Sequence, residues 1–169
     1  KKGFLFKTGG SQTAATISIR NNASGGGGND WAIDDIALVT CNPNLALIPS
    51  GNAQVCYNSQ VDISSTVTSF FNNYTYYRFE RSIDNGVNWT VPGTGTGSPV
   101  AVTGGYEYNA QLVPSFLADS AHHMNQYRFV VASSPANLSN PDCSFTASTT
   151  IVVMVNNCSV TLSARDSSM

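Results

Sequence analysis

The sequence predicts an all-β protein whose larger part is an antiparallel, immunoglobulin-like β-sandwich. Only two of the 169 residues are Glu and three are Lys, whereas residues that favour strands, such as Val, Ile, Thr, Tyr and Phe, are abundant. Asn, Ser and Thr number 17, 21 and 15, which supplies many polar turns. From residue 45 onwards short apolar runs alternate with turn signals and show no helical period, which indicates strand after strand.

Seven strands are predicted between residues 42 and 158, each bounded by Gly-, Pro-, Asn- or Ser-rich turns. Seven short strands in about 110 residues are typical of an immunoglobulin-like sandwich. The predicted strands are 45–48, 61–67, 76–82, 89–91, 106–113, 126–132 and 149–155. The turns fall at 49–52, 84–86, 93–99 and 133–142.

Residues 1–41 form a separate unit with two or three strands, the clearest at 13–20 and 31–39. Four consecutive glycines at 25–28 mark the loop between them. So few strands seldom fold alone, so we expect an upstream domain, the following sandwich or another copy to cover their apolar face. The side chains of that face are Ile17, Ile19, Ile33, Ile36 and Leu38. Residues 159–169 begin a following strand or a linker.

Composition excludes several classes of partner. The net charge is −2, only 11% of residues are charged, and Lys and Arg do not cluster, so nucleic acid is not expected as a partner. No apolar run reaches 18 residues, so membrane insertion is not expected either. The four cysteines lack the C-x-x-C spacing of zinc sites, which favours disulfides and an extracellular location.

The cysteines are assigned to the two ends of the sandwich by counting strands. Cys41 and Cys143 fall at one end, and Cys56 and Cys158 fall at the other. A strand of six residues spans about 20 Å, whereas the Cα atoms of a disulfide lie within about 7 Å. The predicted pairs are therefore Cys41–Cys143 and Cys56–Cys158.

Residues 82–89 (SIDNGVNW) match S-x-D-x-G-x-x-W, the Asp-box pattern of sialidase propeller blades. A sialidase needs several copies and a much longer chain, whereas this sequence has one. The structural interpretation is a hairpin in which Asn85-Gly86 adopts positive φ and Asp84 caps backbone amides, with Trp89 packed on a neighbouring strand.

Few other residues suggest catalysis. Glu80 and Glu107 are the only glutamates; an ion-paired surface position is the favoured interpretation of Glu80, and their spacing alone leaves a glycosidase pair open. His122 and His123 are adjacent, point in opposite directions on extended chain and have no third ligand at metal spacing, so we interpret them as solvated loop residues.

Oxygen-bearing side chains cluster after the glycine loop, at Asn29, Asp30, Asp34 and Asp35. Such clusters suit structural Ca²⁺. The alternative is that these side chains cap turns by hydrogen bonding to backbone amides. Because Asp34 and Asp35 face opposite sides of a strand, at most one of them joins a given site.

The segment 25–41, GGGGNDWAIDDIALVTC, resembles the end of a jelly-roll, lectin-like domain of the MAM or carbohydrate-binding type. Such domains often close with a strand of the form a-I-D-D-I-x-L, whose first Asp binds a buried Ca²⁺ in several families. The resemblance implies that residues 1–41 are the last strands of a jelly roll. It also implies that Asp34 is a ligand of structural Ca²⁺, the only cofactor expected.

Residues 56–158 resemble the immunoglobulin-like modules of secreted and cell-surface proteins of Bacteroidetes. The matching features are Val55-Cys56, the box at 82–89, the YRFV strand at 127–130 and Cys143. The resemblance implies export by the type IX route, display at the cell surface and Cys56–Cys143 as a competing disulfide. Asp119-Ser120-Ala121 resembles the short O-glycosylation motif of these bacteria, with Ser120 as the acceptor.

The expected function is that of a non-catalytic structural or adhesive segment of an extracellular surface protein, such as a stalk or fibre subunit. Its expected partners are neighbouring domains or copies of the same protein. The alternative is a carbohydrate-binding accessory module of a secreted enzyme, in which exposed aromatics stack on polysaccharide. The aromatic candidates are Phe70, Phe71, Tyr74, Tyr76 and Tyr77, of which Phe71, Tyr74 and Tyr76 are the predicted binding residues.

Overall fold

The structure, a computed structural model, describes residues 16–19 and 42–158. The chain divides into two units between Thr40 and Cys41. Of the first unit only residues 16–19 are described; they are not part of a strand, and Ile17 and Ile19 are 39% and 48% exposed. The rest of the predicted jelly-roll end and the segment 159–169 lie outside the described residues.

Residues 42–158 form short β-strands and two single 3-10 turns, Ser120–His122 and Ala136–Ser139. The strands are β1 (Asn44–Ile48), β2 (Ala53–Cys56), β3 (Gln60–Val61), β4 (Ser64–Ser69), β5 (Tyr76–Ser82), β6 (Thr90–Thr96), β7 (Val100–Val102), β8 (Gly105–Gln111), β9 (Phe116–Leu117), β10 (Gln126–Ala132), β11 (Ser144–Thr146) and β12 (Ile151–Asn156). The all-β prediction is confirmed.

Two β-sheets contain most of the strands. One has the order β1-β4-β8-β7 and the other β2-β12-β10-β5-β6, with β11 pairing to part of β10. Every pairing is antiparallel except that of β2 with β12. This is the strand order of an immunoglobulin-like sandwich, in which the first strand divides between the two sheets. Pro49 and Gly51 lie where the chain changes sheets, between β1 and β2.

The hydrophobic core lies between the two sheets. Phe79 of β5 and Phe129 of β10 are directly paired across the ladder, both are fully buried, and their ring centroids are 4.9 Å apart. Ile63 and Ile151 are equally buried, and Val67 is nearly so. Alternate residues on each strand face inwards, as the period of two requires.

The predicted strands 76–82 and 126–132 are confirmed residue for residue, but the predicted turn at 93–99 is wrong for its first four residues and holds only for 97–99, between β6 and β7. Residues 93–96 belong to β6 instead. The glycines here make room for aromatic rings. A Cβ at Gly95 would collide with the ring of Tyr77, its direct partner on β5, and a Cβ at Gly97 would collide with the ring of Tyr108.

The predicted disulfide Cys56–Cys158 is confirmed, with Cα atoms 5.3 Å apart. It closes a loop with a sequence separation of 102 residues at the end of the parallel β2–β12 pair, where Asn156 is in register with Cys56. The competing Cys56–Cys143 pairing is therefore wrong. Cys41 lies outside the described residues, so Cys41–Cys143 stays a prediction.

We predict that Gly95→Ala destabilises the sandwich by about 1–3 kcal/mol, the usual cost of inserting a methyl group into packed space. The free energy of unfolding, measured in urea, checks this. Gly93→Ala is the comparison on the same strand and is expected to cost less, because its Cβ would meet one methyl group of Leu112 at 2.8 Å, whereas a Cβ at Gly95 would meet the Tyr77 hydroxyl and ring at 2.4–3.0 Å. Equal costs for both variants would contradict the assigned role of Gly95.

Candidate functional site

The Asp-box segment forms the turn between β5 and β6, and its side chains bond within the turn. Oδ1 of Asp84 accepts hydrogen bonds from the Ser82 hydroxyl and the Asn88 amide, both at 2.8 Å. The other carboxylate oxygen accepts from Nδ2 of Asn88 at 2.6 Å. The Ser82 hydroxyl in turn accepts from the Gly86 amide at 2.8 Å. This geometry confirms the structural interpretation of the box.

The backbone of the turn has the predicted left-handed conformation. Asn85 has φ of 58° and Gly86 has φ of 86°, values that suit Asn-Gly. Nε1 of Trp89 donates to the Gly86 carbonyl oxygen at 2.9 Å. The guanidinium carbon of Arg128, on β10, lies 4.0 Å from the centroid of a Trp89 ring. The turn therefore fixes Trp89 in a cation–π contact with the sheet.

A charged triad lies next to this contact on the outer face of the sheet. The carboxylate of Glu80 forms an ion pair with Arg78 at 2.5 Å, while its other oxygen accepts a hydrogen bond from Nε of Arg128. The Glu80 side chain is only 4% exposed, against 20% for Arg78 and 31% for Arg128. Ion pairing of Glu80 is confirmed, but its expected surface position is wrong, because the two arginines cover it.

A small pocket of about 140 Å³ opens beside the triad. Val130, Leu138 and Pro141 supply apolar walls, and hydroxyl groups come from three further residues. Its charged and hydroxyl-bearing lining residues are Arg78, Glu80, Arg128, Ser139, Ser144 and Thr146. The Ser139 hydroxyl accepts a hydrogen bond from Nη1 of Arg78 at 3.3 Å. Two guanidiniums and one carboxylate give the pocket a surplus of one positive charge, so it is suited to an anion.

The two glutamates do not form a glycosidase pair. On β5, Phe79 faces the core, so the adjacent Glu80 faces outwards; on β8, Tyr108 faces the core, so Glu107 faces outwards. These strands belong to opposite sheets, whose backbones lie about 10 Å apart in a sandwich. The carboxylates therefore point away from each other on opposite surfaces.

His122 is not the solvated loop residue expected from the sequence. Its ring stacks on Phe116 at a centroid distance of 4.5 Å, and Nδ1 lies 2.6 Å from Oδ1 of Asp119. Burial opposes ionisation of Asp119, but the hydrogen bond and charge of His122 and two backbone amides hold the pKa of that carboxyl below its usual value. His123 is exposed, and its Nδ1 accepts from the Val155 amide at 3.1 Å.

The aromatic residues proposed to stack on sugars do not form an exposed platform. Tyr74 is 8% exposed and makes an edge-to-face contact with Phe145 in the core, so its role as a sugar platform is wrong. Tyr76 is half-buried against Val130 and Leu138. Phe71 is half-buried and lies edge-to-face with Phe70, the one largely exposed ring among these candidates at 61%. Tyr74 lies before the start of β5 and packs inwards on Phe145, a contact that the run of aromatics in the sequence could not show.

The candidate Ca²⁺ ligands Asn29, Asp30 and Asp34 lie outside the described residues. Within residues 16–19 and 42–158, no group of three or more acidic, His or Cys side chains is placed to hold a metal. Ser120 is exposed at the start of its 3-10 turn, after the capping residue Asp119, so its hydroxyl is accessible.

Sequence reasoning missed Arg78 and Arg128 as members of the site. A signal for Arg78 was present, because residues 78 and 80 lie on the same face of a strand. The contribution of Arg128 depends on the β5–β10 register, which pairs it directly with Glu80 across 48 residues of sequence. A single sequence does not give that register.

No protein-family profile matches the chain, and no curated protein sequence matches it. In the part of the chain that is described, no helix is long and apolar enough to cross a membrane.

We predict that Glu80→Gln lowers the free energy of unfolding by about 2–3 kcal/mol, because it leaves two partly buried guanidiniums without their carboxylate. Urea denaturation at neutral pH measures the loss. Glu107→Gln, half-exposed on the opposite sheet, is the control and is expected to change stability little. Equal effects of the two substitutions would show that the triad does not stabilise the fold.

We predict that Asp84 makes stability pH-dependent in the acid range. Hydrogen bonds from the Asn88 backbone and side chain, and then from Ser82, lower the pKa of Asp84 to about 2, from 3.8. A lowered pKa in the folded state contributes stability that is present above about pH 4 and is lost as pH falls towards 2. Asp84→Asn should flatten this part of the curve of unfolding free energy against pH.

The control for the loss of one negative charge is Asp142→Asn, at an exposed position outside the Asp-box turn. The control should keep the slope between pH 4 and 2. A slope that survives in Asp84→Asn would mean that the carboxylate does not stabilise the turn.

Proposed function

We propose that the chain is a non-catalytic structural segment of an extracellular multidomain surface protein, of the kind that forms stalks or fibres. The observation that supports this most is the Cys56–Cys158 disulfide at the end of the sandwich. Structural disulfides persist in oxidising compartments, which favours an extracellular or cell-surface location. Neighbouring domains or further copies of the chain are the proposed partners.

The disulfide determines which part of the chain carries tension. Force that enters before residue 42 and leaves after Cys158 passes through residues 42–56 and then through the bridge. All residues between Cys56 and Cys158 lie in a closed loop outside this path. The strands that form most of the core are therefore not pulled apart while the bridge is intact.

The covalent path through residues 42–56 and the disulfide can lengthen only a little under tension. Most of it consists of β1 and β2, which are already extended. A fully stretched chain spans about 3.4 Å per residue, so residues 42–56 reach at most about 50 Å. A segment that transmits force with so small an extension suits a stalk or an adhesive fibre.

The predicted Cys41–Cys143 bridge would reinforce the same design. It would tie the segment entering the sandwich to the residues just before β11, at the end opposite to Cys56–Cys158. With both bridges, tension would pass through two parallel covalent paths. This would stiffen the junction between consecutive domains.

A carbohydrate-binding accessory module is the second candidate. It is favoured by the polar, positively charged pocket beside Glu80. The pocket replaces the aromatic run as the surface on which this function would depend.

We predict that the oxidised chain, pulled from its two ends by single-molecule force spectroscopy, does not release the residues between Cys56 and Cys158. Reduction should add roughly 350 Å of contour length, since 102 residues separate the two cysteines. Equal contour lengths in the oxidised and reduced chains would contradict the tension path.

The double variant Cys56→Ser/Cys158→Ser tests the second bridge in the same measurement. If Cys41 and Cys143 are bonded, the oxidised variant should release only the residues after Cys143. If they are not, it should extend as far as the fully reduced chain.

A further inference from the structure

The pocket beside the Arg78–Glu80–Arg128 triad is lined by one more guanidinium than carboxylate, and Trp89, which contacts Arg128, is neutral. Glu80 neutralises one of the two guanidiniums, and both arginines have less than a third of their side-chain surface exposed. A cation that is largely removed from water is costly unless an anion accompanies it. The triad therefore favours binding of an anion in the adjoining pocket.

One donor of the triad remains unused. Nε of Arg78 is buried and has no hydrogen-bond partner among the described residues. Arg128 donates Nε–H to Glu80, and its guanidinium lies over the Trp89 ring. The Ser139 hydroxyl accepts from Arg78, so its own proton is free to donate. Arg78, Arg128 and Ser139 are all lining residues of the pocket.

The size and charge of the pocket restrict the ligand. Pockets for drug-sized ligands enclose about 300–1,000 Å³, whereas this one encloses about 140 Å³. It therefore accepts one small group rather than a large molecule. A surplus of one positive charge matches a singly charged acid, and guanidinium is geometrically suited to carboxylate.

The remaining lining residues indicate what carries the carboxylate. Ser144 and Thr146 provide hydroxyl groups, while Val130 and Leu138 provide an apolar surface next to the charge. A sugar ring with an acid group presents the same combination of hydroxyls, CH groups and one negative charge. We propose that this pocket binds the carboxylate of an acidic sugar, of the hexuronate type present in acidic polysaccharides. The proposal does not depend on the tension-bearing role.

The test is an NMR titration of the full, disulfide-bonded chain with sodium galacturonate, a galacturonate trimer, acetate and neutral galactose. The acidic sugars should give saturable shifts of the Arg78 Nε–H signal and of amides 139–146. Acetate should bind at least tenfold more weakly, and galactose should give no such shifts. If acetate binds as tightly as galacturonate, the sugar assignment is overturned. If no acid shifts these signals, the site itself is overturned.

Three substitutions that each lower the net charge by one separate local binding from general electrostatics. Arg78→Met removes a guanidinium of the pocket, and Thr146→Glu places a competing carboxylate at its rim; each should weaken galacturonate binding at least tenfold. Asn52→Asp, at an exposed position outside the pocket lining, is the control and should leave affinity within twofold.

The two pocket variants are independent of each other. Thr146 is exposed on β11 and both arginines remain in Thr146→Glu, so this variant is informative even if Arg78→Met does not fold. Unchanged affinity in Thr146→Glu, or an equal loss in the Asn52→Asp control, would overturn the proposal.

Discussion

The register between β5 and β10 is the constraint on which the rest of the sandwich depends. It pairs Phe79 with Phe129 on the inner face and Glu80 with Arg128 on the outer face. A slip of β5 by one residue would move the Phe79 ring to the surface and the Glu80 carboxylate into the core. The hydrophobic cost of exposing the ring and the cost of burying the charge both oppose the slip. Core packing therefore positions the charged triad.

The Asp-box turn and the glycine-rich strand β6 support the same pair of strands from one side. The turn fixes the end of β5, and through Trp89 it places an aromatic ring against Arg128. On β6, the absence of a side chain at Gly95 allows Tyr77 to lie flat across the ladder. A pattern that resembles an enzyme motif thus serves to hold a hairpin and one face of the sheet.

The sequence was informative wherever the structure is determined locally. The alternation in β5 and β10 and the Asn85-Gly86 turn follow from the backbone preferences of neighbouring residues. Strand counting also assigned Cys56 and Cys158 to the same end correctly, because each strand reverses the direction of the chain.

The features that the sequence did not reveal depend on distant partners. From the sequence alone, Gly95 is interpreted as a turn residue. Its role in a strand becomes clear only from its pairing with Tyr77 on β5. Glu80 is likewise interpreted as a surface residue, because the sequence does not show that Arg128, 48 positions away, covers it. Tyr74 belongs to an aromatic run that gives no strand period, so its inward orientation depends on Phe145 and the opposite sheet. Such pairings need the strand order, which periodicity alone does not supply.

Under tension the Cys56–Cys158 bond would bear load, whereas the strands that line the charged pocket would not. Arg78, Glu80 and Arg128 all lie on strands between Cys56 and Cys158, inside the closed loop. Tension along residues 42–56 therefore does not stretch the strands that position the pocket. A site on β5 and β10 keeps its geometry under a force that would separate these strands if the bridge were absent. If the proposed roles hold, the same covalent bond that limits extension would keep the proposed ligand site intact under tension.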